Sequence, residues 1–216
     1  MLMLLVKTLL IKCRHATPNN LKFPLILILY MQKVTIVLTI PEPLNSKLIN
    51  EIKELHKKYG EYCESKYPND GEYRDVPHIT LFEMGPCYKN IKQIKSKLER
   101  LAKNHKPLKI DSKQLTLFNG RGLKHLVVEV KNTKQIQALH NEIVKELSPL
   151  AKKKGEYILD KYEPHSSKII NMPLKIAKQT LNDAKIKEFE FTANEIGIKV
   201  RQENHYCIIE KRIKLA

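Results

Sequence analysis

Two short stretches, Pro77-His78-Ile79-Thr80 and Pro164-His165-Ser166-Ser167, give the strongest indication of the fold of this chain. Both follow the pattern Pro-His-x-[Thr/Ser], and their histidines lie 87 residues apart. Each tetrad opens a predicted β-strand, and each of these strands is followed by a predicted helix. A motif that recurs at corresponding points of two halves indicates an internal duplication.

The spacing inside each tetrad places a histidine beside a hydroxyl. Successive side chains of a strand point to opposite faces, so His78 shares a face with Thr80, and His165 shares a face with Ser167. A hydroxyl donates a hydrogen bond to a phosphate oxygen. An imidazole, with an intrinsic pKa of about 6.5, gives or takes a proton near neutral pH. Two such pairs facing each other across a cleft predict a metal-free acid–base site for a phosphate ester.

The apolar pattern around the tetrads predicts alternating strands and helices. Strands are predicted at 33–40, 78–84, 108–118, 123–130, 165–170, 187–192, 194–201 and 204–213, and helices at 44–58, 88–104, 133–153 and 173–185. Pro149 is expected to kink or end the third helix early. A hairpin at Asn119-Gly120-Arg121-Gly122 favours an α+β fold with largely antiparallel sheets over a doubly wound parallel fold.

The composition is that of a basic globular protein. The 216 residues include 39 Lys and Arg and 23 Asp and Glu, and the net charge of +16 favours an anionic partner, nucleic acid first and an acidic membrane surface second. A lysine-rich proteome is the alternative origin of this charge. The four cysteines form no C-x-x-C pair and no nucleotide-triphosphate motif occurs, so neither zinc nor a cofactor is expected. Free thiols suit a reducing, cytoplasmic location.

Residues 1–30 differ from the rest of the chain. Their two apolar runs, Met1–Val6 and Pro24–Tyr30, are each shorter than the roughly 18–20 residues of a membrane span. The charged start and the small-residue cleavage site of a signal peptide are missing. We expect an N-terminal extension here, from a mis-assigned start or with a weak targeting role. Residues 31–216 then form the folded domain, which keeps a charge of +12.

The two motifs resemble those of the 2H phosphoesterase superfamily, which includes 2′-5′ RNA ligase-like proteins and RNA 2′,3′-cyclic phosphodiesterases. The resemblance covers about residues 31–216 and rests on His78-Ile79-Thr80-Leu81 and His165-Ser166-Ser167-Lys168. It implies a bilobal, duplicated α+β fold with outer helices and a pseudo-twofold cleft between two antiparallel sheets. It also implies hydrolysis of 2′,3′-cyclic phosphate RNA ends to 2′-phosphates, with reversible 2′-5′ ligation as a related reaction.

The resemblance further implies a role for each motif residue. His78 corresponds to the proton donor, and His165 to the proton acceptor that activates water. Thr80 and Ser167 correspond to the phosphate-binding residues. RNA ends or small cyclic-phosphate nucleotides are the expected partners of a monomer that needs no protein partner and no membrane. A 2′-5′-oligonucleotide or nucleotide-cyclic-phosphate phosphodiesterase, and a catalytically weak RNA-binding protein of the same fold, stay open as alternatives.

The second motif departs from the family pattern, because Ser166 and Lys168 stand where hydrophobic residues are usual. This predicts that the face carrying them is less buried than usual, or that it makes a specific contact.

Three residues just before the motifs, Tyr73, Arg74 and Tyr162, are candidates to line the mouth of the cleft. There a tyrosine would stack on a base and an arginine would pair with phosphate. The other histidines are predicted to be structural, with His56 and His140 on solvated helix faces.

Overall fold

The computed structural model describes residues 32–62, 76–120, 123–151, 162–201 and 207–216. Its strands are β1 (Lys33–Thr39), β2 (His78–Pro86), β3 (Leu108–Gly120), β4 (Leu123–Val130), β5 (His165–Met172), β6 (Glu190–Ala193), β7 (Glu195–Arg201) and β8 (Cys207–Lys214). Its α-helices are α1 (Leu44–Tyr59), α2 (Ile91–Ala102), α3 (Lys134–Leu147) and α4 (Leu174–Asp183). The predicted order of strands and helices is confirmed. The predicted extension at 1–30 and the candidates Tyr73 and Arg74 lie outside the described residues.

Helix ends follow local chemistry. Thr133 caps α3, because its hydroxyl accepts the backbone N–H of Ile136 at 3.3 Å. As predicted, the helix ends before Pro149, and Ser148–Leu150 form a short 3-10 turn. In α1, Leu48, Ile52 and Leu55 recur at helical spacing and are buried.

The strands form two four-stranded sheets, ordered β2-β1-β7-β8 and β5-β4-β3-β6. Every neighbouring pair is antiparallel, which confirms the predicted α+β fold. The two strands that carry the tetrads, β2 and β5, are edge strands of different sheets and contact each other. The motifs therefore meet where the two sheets join.

The helices cover the outer faces of the sheets in a crossed arrangement. Although α1 follows a strand of the first sheet, it packs with α4 against the second sheet. Similarly, α3 follows the second sheet in the chain but packs with α2 against the first. Each lobe thus contains a helix from the other half, and the two lobes share their packing.

Both motif strands carry a β-bulge at the same position. In β2, Leu81 is the extra residue. It has no partner on β1, whereas the residues on either side of it pair with two consecutive residues of β1. In β5, Lys168 is the extra residue opposite β4. Each bulge lies three residues after the tetrad's histidine. The duplication seen in the sequence therefore extends to the backbone irregularities that direct these side chains.

Candidate active site

The four tetrad side chains lie on the sheet faces opposite those that the described helices cover. His78 and His165 begin their strands, and both are partly exposed, as are Thr80 and Ser167. The residue inside each pair, Ile79 or Ser166, is buried on the opposite face. The alternation predicted from the sequence is confirmed. Because β2 contacts β5, the two histidine–hydroxyl pairs lie on adjoining strands.

The two motif histidines are oriented in the same way. His78 Nδ1 lies 2.6 Å from the carbonyl oxygen of Val76, and His165 Nδ1 lies 2.8 Å from that of Glu163. A carbonyl oxygen only accepts, so Nδ1 carries the hydrogen in both rings. Nε2 is therefore the nitrogen at which each histidine gives or takes a proton.

A lysine that the sequence analysis did not single out completes the first half-site. Lys199, on β7, places its Nζ 3.3 Å from Nε2 of His78. An ammonium only donates, so Nε2 of His78 accepts this hydrogen bond. Lys199 alternates with the buried Ile198 and Val200, which places it on the sheet face opposite the described helices. That alternation was visible in the sequence, but the proximity of Lys199 to His78 depends on the order of strands in the sheet.

The second half-site contains an aromatic ring and two acidic residues close to its histidine. The ring of Phe118 meets that of His165 edge-on, with centroids 4.9 Å apart. Glu129 of β4 lies directly opposite His165. Burial lowers the pKa of His165 below its ordinary value, although the bond to the Glu163 carbonyl and the charges of Glu163 and Glu129 oppose this. A lowered pKa favours the neutral imidazole, which is the form that accepts a proton.

A cavity of about 200 Å³ lies next to the Phe118 side chain. Its wall includes Phe118, Glu129, Tyr162 and Pro164. This volume is below the roughly 300–1,000 Å³ of sites for drug-sized ligands, so it suits one ring of a ligand and not a whole nucleotide.

Comparison with known families agrees with this geometry. A sequence model of the 2'-5' RNA ligase superfamily matches residues 41–205, which include both tetrads. The chain belongs to the 2′-5′ RNA ligase superfamily. No protein with a curated description matches the sequence.

Solved structures share the fold of this superfamily member at low sequence identity. TT0787 of Thermus thermophilus has a TM-score of 0.57 at 12% identity, covering 85% of this chain and 97% of that one. E. coli LigT complexed with 3′-AMP has a TM-score of 0.53 at 12% identity, covering 86% and 98%. The complex of E. coli LigT with NADP+ has a TM-score of 0.50 at 12% identity and the same coverage, 86% and 98%. These likenesses establish a LigT-like fold.

The unusual residues of the second motif are buried in this superfamily member. Ser166 is 3% exposed, and the side chain of Lys168 is 1% exposed. Lys168 Nζ donates to Glu51 of α1 and to the carbonyl of Ile186. Burial lowers the pKa of Lys168, and Glu51 opposes this shift. The expectation of a less buried face is wrong, and the alternative expectation of a specific contact is confirmed.

Tyr162 and His140 are neighbours in the interior of the protein. Tyr162 is 4% exposed, so it lies mainly in the interior and contributes only a small part of its surface to the cavity beside Phe118. His140 is fully buried, so the prediction of a solvated helix face is wrong. The two rings stack on each other, with centroids 3.9 Å apart and planes 3° from parallel.

The described residues place no group of three or more His, Cys, Asp or Glu where it could hold a metal ion. Within the same ranges, no helix is both long and apolar enough to cross a membrane.

Proposed function

We propose that this protein is a metal-independent phosphodiesterase that hydrolyses 2′,3′-cyclic phosphate ends of RNA to 2′-phosphates. Reversible 2′-5′ joining of RNA ends is the related reaction of the same site. The observation that carries the proposal is the matched orientation of His78 and His165. Each donates from Nδ1 to the carbonyl two residues before it and presents Nε2 from an edge strand.

The two half-sites supply what the reaction needs. The hydroxyls of Thr80 and Ser167 donate to phosphate oxygens, and the ammonium of Lys199 offsets the phosphate charge. Nε2 of His165 takes a proton from water as its oxygen bonds to phosphorus. The bond from phosphorus to O3′ breaks, and His78 protonates O3′ from Nε2. The products are a 2′-phosphate and a 3′-hydroxyl.

Lys199 links the positive charge of the site to the proposed proton donor. Its Nζ lies 3.3 Å from Nε2 of His78, the nitrogen that protonates O3′ in this proposal. A phosphate held by Thr80 brings negative charge next to both groups. The Lys199 ammonium then donates to a phosphate oxygen, and Nε2 of His78 is left facing the leaving oxygen.

Three further observations support a nucleotide substrate. The net charge of +16 attracts a polyanion. E. coli LigT, which shares the fold, has been crystallised with 3′-AMP. The cavity beside Phe118 has the size of a single ring, and we assign the base of the terminal nucleotide to it.

The test is turnover, with EDTA present, of a nucleoside 2′,3′-cyclic phosphate and of a short RNA that ends in one. We expect the unmutated protein to form the 2′-phosphate, and His78→Ala and His165→Ala to lose about 10²–10⁴-fold in kcat. His105→Ala is the matched control, because His105 pairs with Glu142 away from the tetrads. Turnover of 2′-5′ oligonucleotides alone would favour the alternative phosphodiesterase. RNA binding without any turnover would favour the RNA-binding alternative.

A further inference from the structure

We infer that Tyr162 and His140 are positioning residues that hold the backbone of the first motif at Thr80 and set its distance from the second motif. The inference rests on the proposed function, because it assigns Thr80 to phosphate binding. Neither residue needs to touch the substrate for this role. Their polar atoms contact two consecutive carbonyl groups of β2.

His140 bonds to the bulge that follows Thr80. Leu81 is the extra residue of that bulge and has no pairing partner on β1. Nδ1 of His140, in α3, lies 2.7 Å from the carbonyl oxygen of Leu81. A bulge interrupts the ladder of backbone hydrogen bonds, and a buried carbonyl there requires another donor. His140 is that donor, so it stabilises the bulged conformation.

Tyr162 connects the two motifs directly. Its hydroxyl donates to the carbonyl oxygen of Thr80 at 2.9 Å. The next residue, Glu163, supplies the carbonyl that orients His165. The carbonyl of Tyr162 in turn accepts from Asn132 at 3.0 Å, which holds this segment against the end of β4. One side chain therefore ties the segment that orients His165 to the backbone that presents the Thr80 hydroxyl.

The stacked rings make this connection rigid. His140 is fully buried and Tyr162 is 4% exposed, so the packed interior and the ring stacking restrain both side chains. Phosphate held by hydroxyls from both motifs requires a defined gap between the two half-sites. A displacement of about 1 Å at such a site costs on the order of 10²-fold in rate. Loss of the Tyr162 hydroxyl should thus affect turnover more than folding.

The experiment compares Tyr162→Phe with Tyr59→Phe. Both variants keep the ring and lose a hydroxyl hydrogen bond of a buried tyrosine. Tyr59 is 7% exposed and donates to Asp183 at 2.6 Å on the outer helices. We expect Tyr162→Phe to lower kcat by roughly 10- to 100-fold. Tyr59→Phe should leave kcat and KM unchanged, because the Tyr59 hydroxyl bonds to Asp183 away from the tetrads. Equal, small effects of both variants on kcat would overturn the inference.

Two substitutions at His140 separate donation from packing. His140→Asn keeps an N–H donor near the position of Nδ1, whereas His140→Leu removes it. We expect the asparagine variant to retain at least several-fold more kcat than the leucine variant at a temperature where both are folded. Equal kcat for the two would contradict a role for the bond to Leu81.

The positioning role of Tyr162 can be tested even if the protein does not catalyse the proposed reaction. Absence of turnover by the unmutated protein rejects the proposed function. The affinity for 2′-AMP, measured by calorimetry, then replaces kcat as the readout. Tyr162→Phe should weaken that affinity by about tenfold while Tyr59→Phe leaves it unchanged, and unchanged affinity in both would reject the positioning role.

Discussion

The buried ion pair between Lys168 and Glu51 allows a quantitative test of how the second motif is held in place. We expect Lys168→Met to lower the free energy of unfolding by about 3–5 kcal/mol, the usual cost of removing one partner of a buried pair. The two side chains are 1% and 5% exposed, so water replaces little of the lost interaction. The loss is large against a typical total stability of about 5–15 kcal/mol.

The hydrogen bonds of Glu51 determine how the loss of stability differs between the single and double variants. Its Oε1 accepts the backbone N–H groups of Lys185 and Ile186 at 2.5 and 2.7 Å. In Glu51→Gln the amide oxygen still accepts both, but the Lys168 ammonium loses its counter-charge. The double variant Lys168→Met/Glu51→Gln retains both backbone bonds and leaves no buried charge. We therefore expect the free energy of unfolding of the double variant to exceed that of Lys168→Met alone by at least about 2 kcal/mol.

Urea unfolding of the single and double variants measures this coupling. Lys185→Met is the matched control, because Lys185 also pairs with a glutamate of α1, Glu54, but these two side chains are 75% and 63% exposed. An exposed pair contributes about 0–1 kcal/mol. Additive losses for Lys168→Met and Glu51→Gln, or equal losses for Lys168→Met and Lys185→Met, would refute the reasoning.

Three further predictions concern the site and the pH. Lys199→Gln should raise KM for a cyclic phosphate several-fold more than Lys187→Gln, since Lys199 lies beside His78; equal effects in steady-state kinetics would contradict this. Phe118→Ala should raise KM for a nucleoside cyclic phosphate but not for a baseless ribose cyclic phosphate, and an equal rise for both would exclude a base beside Phe118. Burial lowers the pKa of His140 and His165 from 6.5, so below that pH the unfolded state binds more protons than the folded state. The contribution of these two histidines to the free energy of unfolding should therefore be fully present above about pH 6.5. On acidification it should fall by up to about 1.4 kcal/mol per pH unit for each histidine. Urea unfolding at pH 7.5 and 5.5 checks this, and a pH-independent free energy would count against it.

Local periodicity accounts for the parts of the fold that were predicted. The alternation of buried and partly exposed residues in β2 and β5 placed each histidine beside its hydroxyl. The proline at 149 set the end of α3. The wrong prediction for His140 shows where local periodicity is insufficient. Its helix neighbours include polar residues, and its burial depends on Tyr162 and on β2, which are distant in the chain.

The sequence by itself determined the order of strands and helices, the antiparallel class of the sheets and the two histidine–hydroxyl pairs. The elements and the pairs follow from spacings of two to four residues, which set the faces of strands and helices, and the antiparallel class follows from the hairpin at 119–122. The tertiary structure alone decided the contacts of Lys168 with Glu51, Lys199 with His78 and Tyr162 with Thr80. These pairs are 117, 121 and 82 residues apart in the chain. No periodicity links residues at such separations, because the order of strands in each sheet and the crossed packing of the helices bring them together.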